Sequence, residues 1–301
     1  MRNNEQRFQH LPQNSQVDES VPTSALIDHP SPPSPFSQNV QPQQKAFQFS
    51  VPTSFVELPS KGKHYDSNHP YANLEEVELY FMTAKEEDIL TSQTLIKKGI
   101  VLDKLLENLL VVKCDPRTLL EHDRTALLIE ARKSGFGNLY QLSTFCPDCG
   151  EKMELSVDLG ECVKYNEGVV EDLKDADVVQ TLDGMFEYRL KSSKYAIEFR
   201  LITGHDDNQL FKQSEQKKKA NKMESMFTDR LRQILTKVEG KAENVVPFVN
   251  GIPLINVMEI MDTYRKVCPN VKIMSAYECN KCGSDGTFEV PITRDFFWPN
   301  R

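Results

Sequence analysis

The sequence predicts an α+β fold: an N-terminal helical segment, a split zinc ribbon, and a strand-helix region inserted between the ribbon halves. Three observations predict it. Two Cys-x-x-Cys-Gly stretches, Cys146-Pro-Asp-Cys149-Gly150 and Cys279-Asn-Lys-Cys282-Gly283, each lie between runs that read as strands. Helix-period segments with start and stop signals precede the first stretch. Between the two stretches, β-patterned and helical segments alternate.

The elements follow in order. Residues 1–50 are rich in Pro, Gln, Ser and Asn, with Pro30, Pro32, Pro33 and Pro35 close together. Such a stretch buries too little apolar surface to offset an ordering cost of about 1–2 kcal/mol per residue, so a disordered arm is expected. Residues 57–65 read as an extended piece and a Gly turn, and 77–81 alternate like a strand. Thr83-Ala-Lys-Glu86 is a capping box, predicting a helix to Lys98 with Gly99 as its left-handed stop. A second helix carries Leu102, Leu105, Leu106, Leu109, Leu110 and Val112 at helical spacing. Asp123 is placed as the cap of a third, with Leu127, Leu128 and Ala131 on one face and Gly135 ending it.

The first Cys turn is led in by 139–145 and out by 153–159, and the second by 272–278 and 287–292. Between them, 186–190 and 196–201 predict a hairpin, 206–222 a charged helix, and 223–238 a helix carrying Met226, Phe227, Leu231, Ile234 and Leu235. A further helix is expected at 254–267, with Ile255, Met258, Met261 and Tyr264 on one side. The chain thus divides into an arm (1–50), a strand and helical region (51–138), a first ribbon half (139–160), an inserted region (161–271), and a second ribbon half with its tail (272–301).

Two cysteines three apart on a tight turn place both thiolates on one side of a metal, and the Gly that follows supplies the positive φ. Two such half-sites complete a tetrahedral sulfur set, so Cys146, Cys149, Cys279 and Cys282 are expected to hold one structural Zn²⁺. The half-sites are separated by 150–278, far more than the roughly 15–20 residues of a compact module. The chain must therefore leave the ribbon, fold, and return. The plain alternatives are reduced thiols without metal, or half-sites completed between subunits.

Composition narrows the function classes. Seven cysteines, four of them in the turns, fit a reducing compartment, with Cys114, Cys162 and Cys268 expected as buried free thiols. A formal net charge of −8 argues against a nucleic-acid binder, so Lys217, Lys218 and Lys219 read as a solvated helix face. No run nears the roughly 20 apolar residues of a membrane helix, and the first residues carry no signal-peptide core. No Walker loop, G-x-G-x-x-G, G-x-S-x-G or H-E-x-x-H occurs, and the cysteine turns lack the upstream H-x-E of zinc deaminases. His64 and His69 are expected to face solvent, and no enzyme is expected. The tail around Phe296, Phe297 and Trp298 reads either as a plug on its own ribbon or as an anchor for a partner.

Five stretches in this order resemble the T4-like phage baseplate protein family. They are Glu57-Leu-Pro-Ser-Lys-Gly-Lys-His-Tyr65, Tyr80-Phe-Met-Thr-Ala-Lys-Glu-Glu-Asp-Ile-Leu90, Ala131-Arg-Lys-Ser-Gly-Phe-Gly137 with Tyr140, and the two cysteine turns. The resemblance covers roughly 55–290. It implies a baseplate hub assembly protein or chaperone made in the host cytoplasm, binding hub or tail proteins and neither nucleic acid nor membrane. Only the four turn cysteines carry over as site residues. The alternatives are a structural subunit retained in the mature baseplate and a zinc-ribbon nucleic-acid-binding factor. Residues 59–65 and 136–140 combine Gly turns with aromatics and are the expected partner contacts; the plain alternative is that Tyr65, Phe136 and Tyr140 pack internally.

Overall fold

The computed structural model describes residues 50–166, 177–181, 183–292 and 296–298. The expected disordered arm lies outside these residues apart from Ser50. The fold is α+β, built on two hydrophobic cores and a small cluster around the cysteines.

The first core begins with a hairpin-like pair. Strand β1 (Thr53–Glu57) runs antiparallel to β2 (Glu76–Tyr80), with Val56 opposite Val77 and both buried. The capping box forms at α1 (Ala84–Thr91): the Thr83 amide donates to Glu86 Oε2 at 2.8 Å. The single helix expected to reach Lys98 instead breaks at Ser92, whose ψ is 103°. The Leu90 carbonyl, which a continuing helix would give to the Thr94 amide, accepts from the Trp298 indole at 2.8 Å. The chain restarts as α2 (Gln93–Lys98) and stops at Gly99, as expected, with φ +69°. A Cβ at Gly99 would also lie 2.4 Å from the Phe211 ring.

Helix α3 (Val101–Leu109) buries Leu105, Leu106 and Leu109 and ends before Val112, which is exposed. Helix α4 (Glu121–Phe136) corrects the sequence reading at both ends. Its cap is Leu120, and it runs past Gly135 to stop at Gly137, φ +81°. Asp123 is not a cap because its oxygens are committed elsewhere. Fully buried, it accepts from the Ser60 amide (2.9 Å), the Ser60 hydroxyl (2.5 Å) and the Tyr65 hydroxyl (2.7 Å). Tyr65 in turn accepts from the Leu120 amide at 3.1 Å, satisfying a donor at the helix start. Burial pushes the Asp123 carboxyl up, against the pull of those bonds.

The 59–65 loop is therefore pinned inward rather than offered to a partner. His69 and His64 are half-buried, not solvent-facing. His69 stacks on Tyr65 with ring centres 4.3 Å apart and contacts Thr118 Oγ1 at 2.9 Å; His64 lies 5.8 Å from the Phe186 ring. Burial lowers the pKa of both.

Two hairpins carry the cysteine turns: β3 (Leu139–Phe145) with β4 (Lys152–Asp158), and β10 (Asn270–Glu278) with β11 (Asp285–Glu289). After β4, a single turn α5 (Leu159–Cys162) leads into β5 (Val163–Asn166), which pairs antiparallel with β10. The tail closes this core as a plug: Phe296 and Phe297 are buried, and Phe296 meets Tyr140 edge-on at 5.2 Å. The buried Arg132 donates to the Phe296 carbonyl at 2.9 Å and sits 4.9 Å from the Phe136 ring centre. Tyr140, only 4% exposed, is thus core rather than a partner contact.

The second core packs helices on a four-stranded antiparallel sheet, β6 (Val178–Gln180), β7 (Phe186–Arg189), β8 (Ala196–Phe199) and β9 (Leu235–Val238). The expected β7–β8 hairpin forms. Helix α6 (Gly204–Lys219) is charged as expected; Lys218 and Lys219 are exposed, but Lys217 pairs with Asp229. The helix expected over 223–238 is shorter, α7 (Met226–Ile234), because Leu235 and Val238 turn inward as sheet residues. Helix α8 (Val245–Gly251) precedes α9 (Leu254–Val267), whose bounds match the expectation but whose face does not. Val257, Ile260, Tyr264 and Val267 are buried, while Ile255 and Met258 point to solvent. Both faces of α9 are apolar, so periodicity alone cannot choose between them. Of the remaining cysteines, Cys268 is buried and Cys114 and Cys162 are half-buried. Among the described residues, no helix is long and apolar enough to cross a membrane.

Replacing Asp123 with Ala strands three donors in a dry site, at about 1–3 kcal/mol each. Urea denaturation is expected to show a loss of about 3–5 kcal/mol for Asp123→Ala and less for Asp123→Asn, which keeps one acceptor oxygen. A loss below about 1 kcal/mol, the size of an ordinary helix cap, would mean the latch contributes nothing special.

Candidate metal centre

Each cysteine turn is shaped by its own backbone before any side chain is considered. In the first, the Cys146 amide donates to the Glu151 carbonyl at 2.8 Å and the Gly150 amide to the Cys146 carbonyl at 2.9 Å. In the second, the Cys279 amide donates to the Ser284 carbonyl at 2.8 Å and the Gly283 amide to the Cys279 carbonyl at 2.9 Å. Gly150 and Gly283 have φ of +70° and +72°, a region that carries a steric penalty for residues with a Cβ. The two turns are copies in geometry.

They face each other reciprocally. Cys146 Sγ lies 3.7 Å from Cys282 Sγ, and Cys149 Sγ lies 3.6 Å from Cys279 Sγ. All four sulfurs fall within 4.8 Å of one another. A regular tetrahedron with metal–sulfur bonds of about 2.3 Å has edges of about 3.8 Å, so the set fits a four-coordinate thiophilic ion. The structure thus brings together all four cysteines that the sequence singled out.

Two cross-turn bonds were not legible in the spacing. The third residue of each turn bonds the sixth of the other: Ser284 donates to Asp148, and Lys281 donates to Glu151 at 2.5 Å. Their only trace in the sequence is the opposite charge of Asp148 and Lys281 at equivalent positions. Both bonds are exposed, so their role is to set register more than to add stability.

Burial differs within each pair. The first cysteines, Cys146 and Cys279, are 2% and 1% exposed and pack with Met153, Leu155 and Tyr277; Cys149 and Cys282 are exposed. The amides of Cys282 and Lys281 hold the Cys279 thiol down to about 7. The Ser284 amide also pulls on Cys282, but hydrogen bonding among the thiols, Cys149 first, pushes it up to about 12. Within the second turn, Cys279 is thus the more readily deprotonated thiol and Cys282 the less.

A sequence model for a family described as T4 bacteriophage base plate protein matches residues 51–298. The match spans both cores and both cysteine turns, and the chain belongs to that family. No curated protein and no solved structure matches the chain.

Titration of reduced protein with Co²⁺ is expected to give thiolate charge-transfer and tetrahedral d–d absorption saturating at one ion per chain. Each single Cys→Ser change at 146, 149, 279 or 282 is expected to weaken binding and shift the spectrum. Octahedral-type spectra, or saturation at half an ion per chain, would rule out one four-sulfur site within the chain.

Proposed function

We propose that this baseplate-family protein is a non-enzymatic assembly factor for the hub of a contractile phage tail, acting in the host cytoplasm by binding other tail proteins. Cys146, Cys149, Cys279 and Cys282 hold one Zn²⁺ in a zinc ribbon, and the ion's role is structural. Four sulfurs leave no open coordination position for a substrate, so the ion contributes to folding rather than chemistry.

The observation that carries the protein-binding reading is the start of α9. Leu254, Ile255 and Met258, at i, i+1 and i+4, are 67%, 69% and 59% exposed, and Val246 on α8 is exposed as well. Large apolar side chains clustered on one helix face mark surfaces that are covered in an assembly. This face replaces the inward-pinned 59–65 loop and Tyr140 as the expected contact, while Phe136 and Leu139 of the 136–140 stretch stay exposed. Elsewhere, polar groups have structural duties: buried Asp123 latches a loop, and half-buried Glu259 accepts from the Lys191 and Ser192 amides and the Tyr188 hydroxyl. The second reading is a subunit retained in the mature baseplate, with which the family's description is equally compatible.

The double variant Ile255→Asp with Met258→Asp is expected to unfold within about 0.5 kcal/mol of wild type, as exposed substitutions usually do, yet to fail to support baseplate formation in infected cells. Normal assembly with normal stability would remove α9 as the contact. Mass spectrometry of purified virions decides between the two readings: an assembly factor is absent or trace, and a retained subunit is stoichiometric. Metal analysis of freshly purified reduced protein is expected to return one zinc per chain, with the melting temperature falling on chelation.

A further inference from the structure

Between the two cores lies a cleft of about 830 Å³ whose charge runs against that of the whole chain. The chain carries a formal net charge of −8. The cleft lining nevertheless holds five cations, Lys164, Arg230, Arg265, Lys266 and Lys272, against two carboxylates, Glu121 and Glu289. Three cations have local partners: Arg230 pairs with Glu121 at 2.6 Å, Lys272 with Glu289 at 2.8 Å, and Arg265 with Asp262 at 2.8 Å. Lys164 and Lys266 are exposed, and neither forms an ion pair among the described residues.

The strand register adds an independent sign. Lys164 on β5 lies directly opposite Lys272 on β10. Like charges directly opposite each other across strands are destabilising, and here they put two ammonium groups on one face of the sheet. The next pair in the ladder, Val163 with Ile273, points the other way, and Ile273 is buried in the first core. The sheet thus has one apolar face and one face that concentrates positive charge towards the cleft.

We propose that this cleft binds an acidic, carboxylate-rich segment of a partner protein. The inference rests on the protein-binding reading above and names the chemistry of one partner. Its floor favours a peptide over a bare anion: Met261 and Met274 are half-buried and Tyr264 is buried, giving an apolar surface for side-chain stems under the charged rim. The cations come from β5, α7, α9 and β10, so they surround a length of chain rather than converge on one backbone nest. Both partner-free lysines gain counter-charges when such a segment binds.

The test is fluorescence polarisation of the full chain with a fluorescein-labelled oligoglutamate peptide. Saturable binding is expected, weakening steeply as added salt shortens the screening length below about 8 Å. Reversing both free lysines, Lys164→Glu with Lys266→Glu, is expected to weaken binding at least tenfold; the milder Lys164→Gln with Lys266→Gln pair is expected to weaken it less. The control Lys218→Glu with Lys219→Glu, on α6, changes net charge equally and is expected to leave binding unchanged. Equal loss in the control, or no saturable binding by wild type, overturns the proposal. So does an oligonucleotide of matched charge that displaces the peptide at lower concentration, which would assign the cleft to nucleic acid. If the cleft variants lose the peptide but still capture tail proteins from infected cells, the acidic partner is not the one that mediates assembly, and the proposal falls while the wider protein-binding reading stands.

Discussion

Strand β10 is where this molecule closes. Its first half pairs with β5 and its second half with β11, and it ends at Glu278, just before Cys279, the first sulfur of the second turn. Everything between the two cysteine turns leaves from β5 and comes back along β10. The position of the second core, the meeting of the sulfurs and the cleft between the cores all follow from that return. In the chain-entropy account, a bond closing a loop of a hundred residues removes about 4–5 kcal/mol of unfolded-state freedom. An ion held by the four sulfurs would close such a loop at the paired turns.

Where the two cores meet, several of the contacts are polar. Asp103 of α3 takes the Arg124 guanidinium and the Asn208 amide (2.7 Å), the second from α6; Arg230 of α7 reaches Glu121 of α4. A short bridge also links Leu120 with Thr203. Buried ion pairs contribute little net stability once desolvation is counted, but they tolerate few geometries. They fix the angle between the cores, and the cores supply the stability.

Much of this was legible in the sequence because the signals were local. The Cys-x-x-Cys-Gly turns, the Thr83–Glu86 box, the Gly99 stop and the bounds of α9 each depend on a few adjacent residues. The failures share the opposite cause. Asp123 reads as a cap, but Ser60 and Tyr65, some sixty positions away, claim its oxygens. The break at Ser92 has no Gly or Pro to announce it; it accompanies a bond from Trp298, over two hundred positions downstream. The face of α9 was misread because both faces are apolar, and only the surrounding packing decides which one is buried. The cleft was invisible for the same reason: its lysines are scattered along the chain and gathered only by the fold.

The Phe296–Trp298 segment has a consequence for the order in which the protein is made. Phe296 and Phe297 complete a core whose other members lie mostly before residue 160, and Trp298 fixes the end of a helix at Leu90. During synthesis that core emerges early and stays unfinished until residues far along the chain arrive. The helical half can collapse before those residues emerge, but it cannot reach its final packing until they do. A nascent chain stopped before Asn270 would present the open side of this core and one unmatched cysteine turn, the exposed apolar surface that chaperones and proteases act on. The native surface therefore reports that the chain has been made through Trp298.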